Sequence, residues 1–182
     1  IITGDEEARL SFAGAVTALP ELAQPVLVMD IGGGSTELVF GRDGEPERAV
    51  SLDIGSVRLR ERVLHTDPPT TAEVVAATQQ IDHLLAGSGI DFSRVATWVG
   101  VGGTATSLSA LAQRLDVYDR ARVHGSVLSR HALDRLTERL LALPVAEVAA
   151  LPTMVPGRAD VICAGALICA RVAAQLGLEL LV

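Results

Sequence analysis

Lysine is missing from this chain. All 15 basic residues among its 182 are arginine. No Schiff-base lysine and no phosphate-binding P-loop lysine can therefore operate here. Cysteine is scarce: Cys163 and Cys169 are the only two. Six residues apart on one expected helix, they sit about 9 Å from each other, beyond disulfide reach. They read as small buried hydrophobes, which suits a reducing, cytoplasmic setting. Aromatic residues make up 3% of the chain, so alanine, valine and leucine must build its core. No apolar run reaches the roughly 20 residues that span a bilayer, and no signal peptide is recognisable, so no membrane partner is expected. Basic charge is outweighed, 15 Arg against 22 Asp and Glu for a formal −7. That balance argues against an electrostatic nucleic-acid binder. A starting methionine is missing too: the chain opens on Ile1, and it is expected to be a portion of something longer.

Hydrophobic residues are 49% of the chain and charged ones 20%, a balance that excludes intrinsic disorder. Residues 1–182 read as a single domain. Thr3 or Asp5 can cap an opening helix whose acidic first turn suits the dipole. After Pro25 comes Val26 to Ile31, a continuous apolar run of the kind a central strand buried on both faces shows. Thr36 to Gly41 and Glu47 to Ile54 follow across short turns, which predicts a three-strand antiparallel meander. The period then changes. Helices are expected from Gly55 to about His65 and from Thr70-Thr71-Ala72-Glu73, a capping box, to Leu85. Val95 to Val101 reads as a fourth strand and Ala105 to Leu115 as a helix. Val123 to Ser129 reads as a short extended piece. Helices near His131–Ala142, Val145–Leu151 and Arg158–Leu176 follow, and Leu178 to Val182 reads as a fifth strand. The expected fold is α/β, a mixed five-stranded sheet flanked by helices.

Asp30-Ile31-Gly32-Gly33-Gly34-Ser35-Thr36-Glu37 is the strongest chemical signal. It puts an acid at the end of a buried strand, then three residues without side chains, then a hydroxyl. A glycine turn exposes successive peptide N–H groups in a concave nest that suits an anion, and missing Cβ atoms let a phosphate come close. An acid beside an anion site makes sense when Mg²⁺ or an attacking water lies between them. A plain Gly-rich hairpin is the competing reading, but such a turn needs neither three glycines nor the flanking acid. Gly100-Val101-Gly102-Gly103-Thr104-Ala105-Thr106 repeats the pattern as strand, diglycine and hydroxyl, now opening a helix whose N-terminus favours anions. Alone it is weak. Two such loops on neighbouring strands could grip a phosphate chain or a nucleotide from two sides.

Ile2 to Leu10 (Ile-Thr-Gly-Asp-Glu-Glu-Ala-Arg-Leu), Asp30 to Leu38 and Gly100 to Thr104 together resemble the Ppx/GppA phosphatase family, exopolyphosphatases and guanosine pentaphosphate phosphohydrolases. Pro156 to Asp160 and Ala164-Gly165-Ala166 resemble its closing helix. The resemblance implies a ribonuclease-H-like domain of the actin/Hsp70/sugar kinase superfamily. The family has two lobes, and the first lobe's Asp-x-Gly-Thr-x-Ser loop is absent here, so the chain resembles the second, C-terminal lobe. The resemblance implies that Glu7 is the general base that activates water, with Glu6 as fallback. It also implies that Asp30 and Glu37 are catalytic acids that hold Mg²⁺ or orient water. Gly32, Gly33, Gly34 and Ser35, with Gly102, Gly103 and Thr104, are implied to bind phosphate. The implied activity is Mg²⁺-dependent removal of the terminal phosphate of inorganic polyphosphate by direct water attack. The isolated portion is expected to be poorly active, to need the missing lobe as partner, and to be capable of homodimerising. Guanosine pentaphosphate or a nucleoside triphosphate is the alternative substrate, and a non-catalytic phosphate-binding regulatory module is the alternative role.

The remaining candidates are weaker. His65, His83, His124 and His131 show no metal-ligand spacing. Arg58, Arg60 and Arg62 read as a solvated surface, because alternate residues do not share a helix face. Arg158 is expected to open the last helix, where a cation opposes the dipole, which hints at an acidic or phosphate partner.

Overall fold

The computed structural model describes residues 4–19 and 21–182, with the side chains of residues 4–9 and of residue 11 outside the described residues. Thr3 and the side chain of Asp5, the two possible caps, fall outside it. Helix α1 spans Gly4–Ala18, followed by β1 (Val26–Ile31), β2 (Thr36–Arg42) and β3 (Glu45–Leu52). These strands form the expected meander, with Asp30 directly opposite Glu37 and Ile31 opposite Thr36 across the first hairpin. On its other side β1 pairs in parallel with β4 (Thr97–Val101). A central strand with a parallel neighbour is covered on both faces, and β1 is buried along almost all its length.

The five expected strands are present, and a sixth joins them. The extended piece near 123–129 supplies Val127–Leu128 (β5), which pairs antiparallel with β6 (Leu180–Leu181) at the sheet edge. The sheet is therefore six-stranded rather than five-stranded, in the order β3-β2-β1-β4-β6-β5. Two residues beside a glycine turn carry too little period for a strand to be read from sequence.

The alternation along β1 divides the core. Val26 and Val28, with Val39 and Val99, pack against Phe12 and Ala15 of α1. Leu27, Met29 and Ile31 face the opposite way, towards the remaining helices. Each large apolar side chain buried in this way contributes about 1.5–3 kcal/mol. The helices of that layer are α2 (Ser56–Arg62), α3 (Thr71–Ala86), α4 (Gly102–Ala112), the short α5 (Arg120–Val123), α6 (Arg130–Ala142), the short α7 (Val145–Ala149) and α8 (Ile162–Leu176). Among the described residues no helix is long and apolar enough to cross a membrane.

The capping box of α3 forms as the sequence predicts. The Glu73 backbone N–H donates to Thr70 Oγ1 at 3.3 Å, and the Thr70 N–H donates to Glu73 Oε2 at 2.7 Å. Glu73 also accepts from the His65 and Thr66 N–H groups at 2.8 and 3.0 Å and from the Thr66 hydroxyl. That hydroxyl first, and the Thr70 backbone second, hold the Glu73 pKa at about 2, below its ordinary 4.5.

Two boundaries depart from expectation in ways that shape the site. Helix α4 starts at Gly102, immediately after β4, so the diglycine is itself the helix's first turn. Helix α8 starts at Ile162 and not at Arg158. Pro156 and Gly157, the latter at φ +80, keep the preceding segment in turns, and Arg158 lies there.

Candidate functional site

The carboxyl ends of β1 and β4 lie side by side, and a cleft of about 270 Å³ opens there. Asp30, Gly32 and Gly33 line it from the first glycine loop, and Gly102, Gly103 and Thr104 from the second. The two motifs, 70 residues apart in sequence, thus share one site. The carboxyl end of parallel strands is where open α/β sheets bind ligands.

The first loop is held by its carbonyls. Ser56 N–H donates to the Gly32 carbonyl at 2.9 Å, and the Val57 and Arg58 N–H groups both donate to the Gly33 carbonyl at 3.0 Å. The amino end of α2 therefore consumes the loop's acceptors. The N–H groups of Gly33 and Gly34 have no protein partner among the described residues. Gly55 makes this docking possible: a Cβ there would lie 2.5 Å from the Gly33 carbonyl oxygen and 2.6 Å from the Ser35 nitrogen.

The second loop contributes the amino end of α4, whose first N–H groups have no intrahelical acceptor. Gly102 has φ +78, a conformation that favours glycine, and a Cβ there would lie 3.0 Å from the Asp30 carboxyl carbon. The Thr104 hydroxyl donates to the Ile31 carbonyl at 3.0 Å. It ties the second loop to the end of β1, so the part of Thr104 offered to a ligand is its backbone N–H. Gly165 lets α8 come close behind the second loop, since a Cβ there would lie 2.7 Å from Thr104 Cγ2.

The two loops leave unbonded peptide N–H groups in one concavity, which is chemistry for an anion. Asp30 is the one acidic side chain, and Arg158 the one basic one, among the described residues of the lining. Gly34, Ser35 and Glu37 lie outside the lining. Gly34 faces the Arg58 guanidinium instead. Glu37 is directly opposite Asp30 and so on the same face of the sheet, where its Oε1 accepts from Ser51 Oγ at 2.9 Å. The backbone of Glu7 is in α1, but its side chain, like that of Glu6, lies outside the described residues.

Ser56 and Ser107 are residues that the sequence reading missed. Ser56 lines the cleft and donates to the Gly32 carbonyl at 3.2 Å. A Gly-Ser pair opening a helix was its available signal. Arg158 is not at the start of α8. Its Nη1 reaches the amino end of α4, donating to the Gly103 carbonyl at 2.8 Å and to Ser107 Oγ at 3.0 Å. The arginines of α2 form no anion track: Arg58 and Arg62 both pair with Asp53, and Arg60 donates to the Leu64 and Thr66 carbonyls at 2.6 and 2.8 Å. All four histidines are exposed. Among the described residues no cluster of three or more His, Cys, Asp or Glu could hold a metal by itself. Both cysteines are buried and free, and burial pushes both thiol pKa values up.

A family model described as the Ppx/GppA phosphatase family matches residues 1–181. Exopolyphosphatase 2 of Mycobacterium tuberculosis is 46% identical over 178 residues, which is 97% of this chain and 56% of that protein. The crystal structure of the Ppx/GppA family member of Aquifex aeolicus superposes with a TM-score of 0.91 at 32% identity, covering 99% of this chain and 58% of the other. A crystal structure of an exopolyphosphatase from Cytophaga hutchinsonii superposes with a TM-score of 0.87 at 27% identity, covering 99% and 59%. The chain spans about half the length of the curated relatives it matches.

Proposed function

The chain belongs to the Ppx/GppA phosphatase family, and from that premise we propose that it forms one wall of an exopolyphosphatase site that releases orthophosphate from the end of inorganic polyphosphate. The observation that carries this reading is the meeting of both glycine loops and Arg158 in one cleft beside Asp30. Hydrolysis of a phosphoanhydride needs little covalent chemistry from the protein. It needs fixed donors aimed at the oxygens where charge gathers in the transition state. The N–H groups of Gly33 and of the first turn of α4 are such donors, and both loops are braced from behind, by α2 and by the Thr104 hydroxyl.

Asp30 and Glu37 fit Mg²⁺. They are hard oxygen donors paired across one hairpin on one face of the sheet, and Mg²⁺ needs only one or two carboxylates when phosphate oxygens and waters complete its shell. Held there by Asp30 and Glu37, Mg²⁺ would supply charge neutralisation to the phosphate oxygens. Glu7 takes the proton of the attacking water as general base, with Glu6 as fallback. The water oxygen bonds to the terminal phosphorus, the bridging P–O bond breaks, and the shortened chain leaves as a phosphate. Direct attack by water suits the lining, because its two hydroxyls, Ser56 and Thr104, already donate to backbone carbonyls. The second wall of the site comes, in this reading, from the first lobe that the relatives' additional length would supply.

Orthophosphate release by the protein that carries this chain tests the reading, with long-chain polyphosphate, guanosine pentaphosphate and ATP offered separately with Mg²⁺. Release from polyphosphate that disappears in Glu7→Gln supports both the activity and its base. Release confined to guanosine pentaphosphate or ATP moves the substrate. Binding of all three without release leaves a regulatory phosphate-binding module.

A further inference from the structure

Arg158 reaches a place where a cation is unwelcome. Its guanidinium rests at the amino end of α4, the positive end of the helix dipole, so it stays there only if something holds it. Two acceptors do: the Gly103 carbonyl at 2.8 Å and Ser107 Oγ at 3.0 Å, both on Nη1. Gly103 is also the floor beneath it. A Cβ at that position would lie 2.5 Å from the guanidinium carbon and 2.6 Å from Nη1. Ser107 is four residues further along α4, one turn on and on the same face, and is only 7% exposed. The other N–H groups of Arg158 have no protein partner among the described residues, and the side chain lines the cleft.

We propose that Ser107 is a positioning residue for the anion bound in this cleft, acting through Arg158, and that position 103 is glycine to seat the guanidinium rather than to admit the ligand. The inference rests on the phosphatase reading, which makes that anion a phosphate chain. A guanidinium held by one nitrogen keeps its fork aimed and loses less freedom when its other donors engage a phosphate. The seat adds affinity to the bound chain and to the transition state alike, so its loss is felt in KM and not in kcat.

The test uses Ser107→Ala, Gly103→Ala, Arg158→Ala and the pairwise combinations in the protein that carries this chain. Two quantities are read: steady-state orthophosphate release, and calorimetric binding of tripolyphosphate. Ser107→Ala should raise KM and the tripolyphosphate Kd about tenfold, the scale of one hydrogen bond to a charged group, with kcat within about twofold. Gly103→Ala evicts the same guanidinium by steric means and should raise KM and the tripolyphosphate Kd at least as much. In the Arg158→Ala background either change should add less than about twofold, because contacts within one network are not additive. A Ser107→Ala effect of full size in that background overturns the proposal. So does an unchanged KM and Kd in Ser107→Ala while the wild type binds and turns over. A wild type that neither binds tripolyphosphate nor releases orthophosphate overturns the phosphatase reading itself, and the ligand assigned here with it.

Discussion

Replacing Gly55 by alanine should break the site although Gly55 is not itself one of the residues that line it. Gly55 precedes α2 with φ −140 and ψ 175, an extended conformation any residue adopts, so alanine brings no backbone strain of its own. Its methyl would lie 2.5 Å from the Gly33 carbonyl oxygen, 2.6 Å from the Gly33 carbonyl carbon and 2.6 Å from the Ser35 nitrogen. All three are backbone atoms, with no rotamer to turn away. The loop and the amino end of α2 must separate, weakening three bonds: Ser56 N–H to Gly32, and Val57 and Arg58 N–H to Gly33. Overpacking costs about 1–3 kcal/mol and each weakened hydrogen bond about 0.5–1.5 kcal/mol. A total near 3 kcal/mol is expected, since bonds only lengthened keep part of their strength. For a domain of this size that lowers Tm by about 6–12 °C. Urea denaturation and calorimetric binding of tripolyphosphate together are the assay, and binding should weaken because the loop's N–H groups lose their aim. A Gly55→Ala protein as stable as the parent, binding equally well, would refute the docking of this loop on α2.

Thr153 should be improved by glycine. It is a β-branched residue at φ +64, and its buried hydroxyl has no partner among the described residues. Thr153→Gly removes strain and an orphan donor at some cost in chain entropy, for a net gain of about 1 kcal/mol in denaturation midpoints; a loss would contradict it. Glu73 should give the protein an acid-sensitive stability. Its pKa is held at about 2 against 4.5, and a depressed acid contributes stability above its unfolded value that is lost as pH falls through its folded one. Stability should therefore drop between pH 4.5 and 2, and Glu73→Gln should flatten that part of the profile. Cys163 and Cys169 are 5% and 0% exposed, with thiol pKa values raised by burial. Neither should react with a thiol reagent in the native protein at neutral pH, and both should react in urea.

Much of this architecture was legible because its signals are local. The apolar run from Val26 to Ile31 can be little else than a buried central strand, and the Thr70–Glu73 capping box is written within four residues. That two glycine loops meet followed from placing both at strand ends. The glycines' individual tasks did not follow, because each depends on a neighbour far off in sequence. Gly55 serves the loop at Gly33, Gly102 gives room to Asp30, and Gly103 gives room to Arg158. The clearest misreading was Arg158. The apolar helical pattern reaches back to it, but Pro156 and the turn at Gly157 delay α8 until Ile162. Its helix-dipole signal was real and belonged to α4. β5 was legible only as an extended piece, since its place in the sheet is set by β6, more than 50 residues later.

The central claim is that both glycine loops serve one phosphate site. Amide NMR of the protein that carries this chain, titrated with tripolyphosphate, tests it most directly. The account predicts that the N–H resonances of Gly33, Gly103 and Thr104 shift together along one saturable curve, while that of Gly44, in the distant turn between β2 and β3, stays still. Movement of one loop without the other, or saturable shifts elsewhere with both loops silent, would contradict it.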